Sequence, residues 1–475
     1  MTQSTLTAAN TQITFDFGYE PITGDFGGGD ICTNGGVVLA RELDDRRQYA
    51  KRIAGCILDW RSGQTRYDLE DLVRMELFMK LCGYSAGSDA NFLRHDSAFR
   101  ASIRGSRSAL PGQSSFSRLR NNVDAESLLR LQRLLPKQFL GRFKRPPKSV
   151  TLNMDSMCDA VFGTQQMSFY NGFYHEYCYT HLYLFADDGF PLAGVARAGN
   201  AGPGEGGLAM LANVVAQLRS KRKKMKISYR ADSAFLNFQT LDWCEDNDVQ
   251  YFIGVAPNHA LQIKVKELVE KARDTYVATF GIPFPLHGRS WRQNEERIRF
   301  SSKEEGRQQE LFQREQRIRM YGEIRYQART WTRGRRVIVR VDYTAEGEDI
   351  RFVVTNCETG DPRRVYEEKY CQRARCEMHI KELKSQDCDR LSCPEWVANQ
   401  FTLMMHLFAY AMQIELRQAL PKSERNISTE TLRSRFLKIA AQIRHTARGI
   451  RIRWSSNHPY QGQFRTLLDR LRSTA

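Results

Sequence analysis

At residue 149 the hydropathy period of this chain changes, and the change narrows the folds open to it. From residue 44 to about residue 143, apolar side chains recur three to four positions apart. DDRRQYAKRIAGCILDW, DLEDLVRMELFMKLCGY, SDANFLRHDSAF and AESLLRLQRLLPKQFLGRF all read as helices. In SVTLNMD the period drops to two. Val150, Leu152 and Met154 point one way, and Thr151, Asn153 and Asp155 the other. The stretch 142–147, RFKRPP, interrupts the pattern between the two regimes. A helical N-terminal unit followed by a sheet is therefore expected. Within the helical part, LPGQSSFSRLRNN reads as a turn and a short basic helix. Such a unit either binds DNA through a helix-turn-helix-like element or serves only to pack.

The order of elements after residue 149 is informative. YHEYCYTHLYLFADDG and FPLAGVARAG are aromatic or β-branched runs joined by Asp-Asp-Gly, a hairpin-type turn. GNAGPGEGG (199–207) is Gly-rich but lacks a GK[ST] ending, so it reads as a flexible connection and not a nucleotide loop. GLAMLANVVAQLRSKRKK is an amphipathic helix with a basic end. In MKISYRADSAF, Ile227, Tyr229 and Ala231 alternate with Ser228, Arg230 and Asp232. A helix over 237–246 and the strand QYFIGVAP follow. Three antiparallel-looking strands, a helix, a strand, a helix and a strand make a mixed α/β sheet of ribonuclease-H-like order. The charged segment 258–348 interrupts this core and ends in strand-like pieces such as RRVIVRVDYT. IRFVVTNCET (350–359) returns to the core.

The expected organisation is α/β, a ribonuclease-H-like mixed sheet interrupted by a β-rich insertion, with an all-helical N-terminal domain. Its segments are 1–148 (helical, DNA-binding, with an extended lead-in), 149–257 and 349–420 (the two parts of the core), 258–348 (the insertion) and 421–475 (a basic tail). Residues 394–416, PEWVANQFTLMMHLFAYAMQIEL, read as a long buried helix too interrupted by polar residues to span a membrane.

Lys and Arg number 71 against 54 acids, a net charge of +17 that points to a polyanion, most simply DNA or RNA. Residues 431–475 alone hold ten Lys or Arg and one acid, Asp469. They form either a DNA-contacting surface or a solvated basic tail. No basic start followed by an apolar core opens the chain, so no secretion signal is expected. The 11 cysteines are scattered and odd in number, as expected of reduced thiols in a cytoplasmic protein. Cys371, Cys376, His379, Cys388 and Cys393 lack the paired C-x2-C spacing of zinc sites and read as structural thiols with a neighbouring histidine.

The stretch YCQRARCEMHIKELK (370–384) carries the densest functional pattern. Treated as one helix at about 100° per residue, it places Arg373, Glu377 and Lys384 at about 300°, 340° and 320° from Tyr370, all on one face. A carboxylate holds divalent cations, and Tyr, Arg and Lys bind phosphate. The same face is also compatible with a solvated, salt-bridged helix. Asp155 and Asp232 lie on the polar faces of two core strands, and Glu377 lies on the helix after the last one. Three carboxylates from separate elements can converge to hold two Mg²⁺ or Mn²⁺ ions about 4 Å apart. Taken singly, Asp155 reads equally as a strand-end residue and Asp232 as a helix N-cap.

These motifs resemble those of the DDE transposases of bacterial insertion sequences. The spacing Tyr370-x2-Arg373-x3-Glu377-x6-Lys384 matches the Y-R-E-K signature of the insertion-sequence-4 supergroup. LNMDSM around Asp155 and YRADSAF around Asp232 resemble its two aspartate motifs. LCGYSAGSDANFLRHDSAF and GQSSFSRL resemble the insertion-sequence-1380 branch. The resemblance runs from about Arg46 to Leu471. It implies cut-and-paste transposition by a homodimer on double-stranded DNA, acting on terminal inverted repeats and target DNA with two Mg²⁺ per site, Mn²⁺ being able to substitute. Asp155, Asp232 and Glu377 would be the catalytic metal ligands, and Tyr370, Arg373 and Lys384 would grip DNA phosphates. Trp291 or Trp331 in the insertion would either stack on a flipped base or pack in the core. A bacterial cytoplasmic location and no membrane partner are expected. The rival readings are a nuclease that cleaves without rejoining and a non-catalytic DNA-binding protein on the same scaffold.

Overall fold

The computed structural model describes residues 13–473, apart from 19, 26, 106–107, 281–315 and 345. Two compact units share the chain. The first is made of 1–134 and 382–475, and the second of 135–381.

The first unit begins with a small antiparallel pair, β1 (Ile13–Phe15) and β2 (Ile22–Gly24), and a short β3 (Ile31–Cys32). Six helices follow: α1 (Val37–Arg47), α2 (Tyr49–Ala54), α3 (Leu69–Leu81), α4 (Asp89–Leu93), α5 (Ser97–Ile103) and α6 (Gln113–Asn122). The first predicted helix is two, because Gln48 adopts the left-handed conformation (φ 56°) and ends α1. Helix α3 is buried almost all round, charged residues included. Its charges are therefore paired. Arg74 meets Asp44 at 2.7 Å, and Arg120 meets Glu76 at 2.8 Å. Helix α7 (Ala125–Gly141) leads into the second unit.

The second unit is built on a nine-stranded sheet. Its strands are β4 (Ser149–Ala160), β5 (Phe169–Asn171), β6 (Glu176–Ala186), β7 (Pro191–Arg197), β8 (Lys226–Ala231), β9 (Val249–Val255), β10 (Ile318–Tyr326), β11 (Arg335–Thr344) and β12 (Gly347–Thr355). The spatial order is β10-β11-β12-β9-β8-β4-β6-β5, with β7 also on β6. The β4/β8 and β8/β9 pairs are parallel, and the rest are antiparallel. Parallel neighbours need crossovers. Helix α8 (Gly207–Lys221) leads into β8, and α9 (Phe238–Asp246) joins β8 to β9. Helices α10 (His259–Lys264) and α11 (Lys266–Phe280) come next. Strands β10 and β11 extend the same sheet beyond β12, so the β-rich part of the interrupting segment continues the central sheet.

The stretch 370–384 is helical but not uniform. A π-helical segment, Val365–Tyr370, passes into a 3₁₀ turn, Cys371–Arg373, and then into α12 (Ala374–Lys384). Three residues per 3₁₀ turn set Arg373 over Tyr370, not a fraction of a turn away.

The first unit resumes with α13 (Trp396–Ala419), buried from Ala398 to Leu416 and packed on α3 and α6. The basic C-terminal segment is folded. Strands β13 (Ala441–Thr446) and β14 (Gly449–Trp454) form a hairpin with β3, and α14 (Gln461–Ser473) buries Phe464, Leu467 and Leu471. No described helix is long and apolar enough to cross a membrane.

Candidate active site

Strand register brings the two aspartates level. Asn153 of β4 pairs with Arg230 of parallel β8, and Asp155 and Asp232 each lie two residues further along. Asp232 follows the carboxyl end of β8, and Asp155 lies in β4 just past the end of its parallel pairing with β8, near the usual position of a site in such a sheet. Asp155 is backed by Tyr183 on β6, and its Oδ1 accepts from the Ser156 N–H at 2.8 Å. Asp232 follows β8, and its Oδ1 accepts from the Ala234 N–H at 2.9 Å, capping the turn Ser233–Phe235. The cap expected of a lone Asp is present, and the capping residue stands beside Asp155.

Helix α12 adds Glu377 and, just before it, Arg373. The Arg373 guanidinium lies between two carboxylates, with Nη1 at 3.7 Å from Asp155 Oδ2 and Nη2 at 3.3 Å from Glu377 Oε1. Glu377 is largely exposed, whereas the Asp155 side chain is only 13% exposed. Burial pushes the Asp155 carboxyl up to about 6, and the nearby charges of Asp232 and Glu377 push the same way. The Ser156 N–H and Arg373 act against them. Burial disfavours the Arg373 charge, but Tyr370, Asp155 and Asp232 more than offset this and raise it above its ordinary value.

Tyr370 packs its ring on the cluster of Phe252, Ile338, Val353, Val365 and Tyr366. Its hydroxyl lies over Gly254 of β9, where a Cβ would stand 2.8 Å from the oxygen and 3.0 Å from the Ser233 nitrogen. Gly254 is thus part of the site's geometry. A lone glycine in the strand QYFIGVAP was the only sign of it in the sequence.

Lys384 ends α12 in the first unit, where its Nζ lies 3.9 Å from Asp389. Trp331 is buried, edge-on to Tyr326 and beside Arg335, so it presents no free face for a base. Trp291 lies outside the described residues. The loop 199–207 is tied down, contrary to its reading as a flexible connection. Buried Arg197 donates from Nη1 to the carbonyls of Gly202, Pro203 and Glu205 at 2.9–3.0 Å, and from Nε to that of Thr180 at 3.2 Å. Among the candidate thiols, Cys376 is buried with its Sγ 3.9 Å from the Asn153 carbonyl, and Cys371 is exposed.

Among the described residues, no group of three or more Asp, Glu, His or Cys is drawn together closely enough to hold a metal ion as it stands. The donor set nevertheless suits one. All three are hard carboxylate donors, and the Asp155 carboxyl is raised mainly by its burial and further by the charges of Asp232 and Glu377. A divalent cation would oppose that rise, as Arg373 partly does.

Acidic groups on two adjacent parallel strands, faced by an Arg-bearing helix, define a class of α/β proteins suited to phosphoryl chemistry. The transposase DDE domain group 1 model matches residues 16–475, and the chain belongs to that family. No curated protein matches the sequence. Among solved structures, the chain is similar to a piggyBac transposase in a synaptic complex with hairpin DNA. Identity is 13% and the TM-score 0.40, over 86% of this chain and 80% of that one.

Proposed function

We propose that this transposase moves DNA by cut-and-paste, through a ribonuclease-H-like core, and that it belongs to the insertion-sequence-1380 branch of its supergroup. One observation carries the catalytic reading. Asp155 and Asp232 lie level at neighbouring parallel strands, and the Arg373 guanidinium reaches Asp155 at 3.7 Å and Glu377 at 3.3 Å.

In this reading Asp155, Asp232 and Glu377 would hold two Mg²⁺ ions, for which Mn²⁺ would substitute. Such ions would supply Lewis acidity and ease deprotonation of the attacking water or hydroxyl. Asp232 is held by its own backbone cap, so its carboxylate keeps one position. Arg373, held between Asp155 and Glu377, presents a guanidinium to a phosphate oxygen. Tyr370 and Lys384 bind neighbouring phosphates. Water attacks a phosphodiester at the element's end, and the bond to the 3′-oxygen breaks to leave a 3′-hydroxyl. That hydroxyl attacks a phosphodiester of the opposite strand, which forms the hairpin and releases the flanking DNA with a 3′-hydroxyl of its own. Water then hydrolyses the hairpin phosphodiester to restore the element's 3′-hydroxyl, which attacks a target phosphodiester and displaces a target 3′-hydroxyl. Acting on both ends at once calls for a homodimer on double-stranded DNA. The net charge of +17 supplies salt-sensitive affinity for that partner.

The test is a supercoiled plasmid carrying the element's own ends, incubated with Mg²⁺ or EDTA and with Glu377→Ala in parallel. Metal-dependent excision with hairpin or joined products, lost in the variant, is expected. Cleavage without any joined product would favour a nuclease. Binding without cleavage under every metal condition would leave a DNA-binding protein on the same scaffold.

A further inference from the structure

The first unit contains a cavity of about 480 Å³ that the reading above does not use. Arg61, Arg66, Arg94 and Arg118 line it together with Trp60 and Tyr67, and no carboxylate belongs to its lining. Arg61 is neutralised from outside by Asp59, at 2.7 Å. Arg66, Arg94 and Arg118 form no ion pair among the described residues. The Nε of Arg94 is buried without a hydrogen bond. Its guanidinium stands at the start of α6, where a Cβ on Gly112 would lie 3.3 Å from Nη1. Arg118 lies on the same helix, its Nε donating to the Ser114 carbonyl at 3.2 Å.

This arrangement is electrostatically unsatisfied. Like charges crowd one another, and a cation at a helix N-terminus opposes the helix dipole. A bound anion resolves both conflicts. Guanidinium forks and the nearby Ser114 and Ser115 suit the oxygens of a phosphate. The aromatic walls are fixed. The Tyr67 hydroxyl donates to the carbonyls of Ala109 and Leu110, and the Arg66 guanidinium lies over the Tyr67 ring at 5.3 Å. The one amide in the lining, Asn91, is fully engaged. Its Oδ1 accepts from the Gln113 N–H at 3.0 Å, and its Nδ2 donates to Gln113 Oε1 at 3.2 Å.

We infer that this pocket is a second DNA contact, a clamp for backbone phosphates of duplex DNA that is indifferent to sequence. The choice of DNA as the source of the phosphate rests on the transposase reading; the anion site itself does not.

The test uses the full chain and the double variant Arg66→Gln/Arg118→Gln, both exposed side chains whose loss the fold tolerates. Duplex binding is followed by fluorescence anisotropy over a salt series. At low salt the variant should bind at least about tenfold more weakly, equally for duplexes of unrelated sequence. Its slope of log affinity against log salt should be shallower by about 1.8, two phosphate contacts' worth. Arg66→Lys/Arg118→Lys should restore most of the slope. Unchanged affinity and slope would overturn the inference. Calorimetric binding of inorganic pyrophosphate to the wild type, lost in the double variant while its duplex affinity is unchanged, would also overturn it, in favour of a small phosphorylated ligand. Glu377→Gln separates the two readings. If no form of the protein cleaves DNA and the pocket variant still loses duplex binding, the transposition chemistry fails and the clamp stands. If the wild type cleaves and the pocket variant binds normally, the reverse holds.

Discussion

Arg373 lies 3.7 Å from Asp155 and reaches Glu377 with its other terminal nitrogen at 3.3 Å, so one guanidinium spans two of the three candidate metal ligands. A fork with two separated nitrogens can do this, whereas the point charge of a lysine serves one partner at a time. Arg373→Lys should therefore keep the fold and lose most DNA-end cleavage, by about tenfold or more, with Arg373→Gln lower still. Thermal unfolding and gel-based cleavage of the same preparations would check this. A lysine variant with wild-type cleavage would remove the bridging role.

Gly254 is the second point of tight geometry. A methyl group there meets the Tyr370 hydroxyl at 2.8 Å and the Ser233 nitrogen at 3.0 Å, so either the tyrosine or the turn capped by Asp232 must shift. Gly254→Ala should cost about 1–3 kcal/mol of stability, as overpacking does, and lower cleavage further than that loss explains. Tyr370→Phe removes the oxygen but not the backbone contact. The double variant should then recover part of the stability in urea unfolding. Full additivity of the two changes would show that the ring and the glycine are not in contact.

The sequence displayed the site better than it displayed the molecule around it. Asp155 and Asp232 sat in strands whose alternation was clear, and the strand–helix–strand order put them side by side. Glu377, Arg373 and Tyr370 were legible as a helical spacing, although the path between them changes pitch. A π segment followed by a 3₁₀ turn leaves no mark on a pattern read at 3.6 residues per turn. Arg197 was invisible for a different reason. It staples the loop 199–207 through backbone carbonyls, which any sequence provides, so glycine content alone suggested flexibility. The C-terminal segment showed its charge, while its sparse apolar positions, Ile443, Phe464 and Leu467, gave little hint that it folds into a hairpin and a helix. Residue type alone left Trp331 open to stacking on a base or to a place in the core, and it is packed in the core.

Lys80, fully enclosed in the first unit, gives a pH signature unrelated to the candidate metal ligands. Its Nζ lies 2.9 Å from His406 Nε2 and 4.0 Å from Glu76. Burial lowers its pKa to about 8; Glu76 opposes this, and Arg120 adds to it. The unfolded chain holds the same proton up to its ordinary value of 10.5. Between those two pH values the unfolded state binds more protons, so this residue's contribution makes stability rise with pH across the window. Below about 8 the buried ammonium is a constant cost, on the order of 3 kcal/mol. Lys80→Met keeps the volume and removes the charge, and Glu76 retains Arg120 at 2.8 Å. The variant should match or exceed the wild type in stability at pH 7, and its advantage should shrink steadily from pH 8 to 10.5. Denaturant unfolding of both proteins across that range measures the difference directly. Parallel profiles would mean that Lys80 carries its proton equally in the folded and unfolded states.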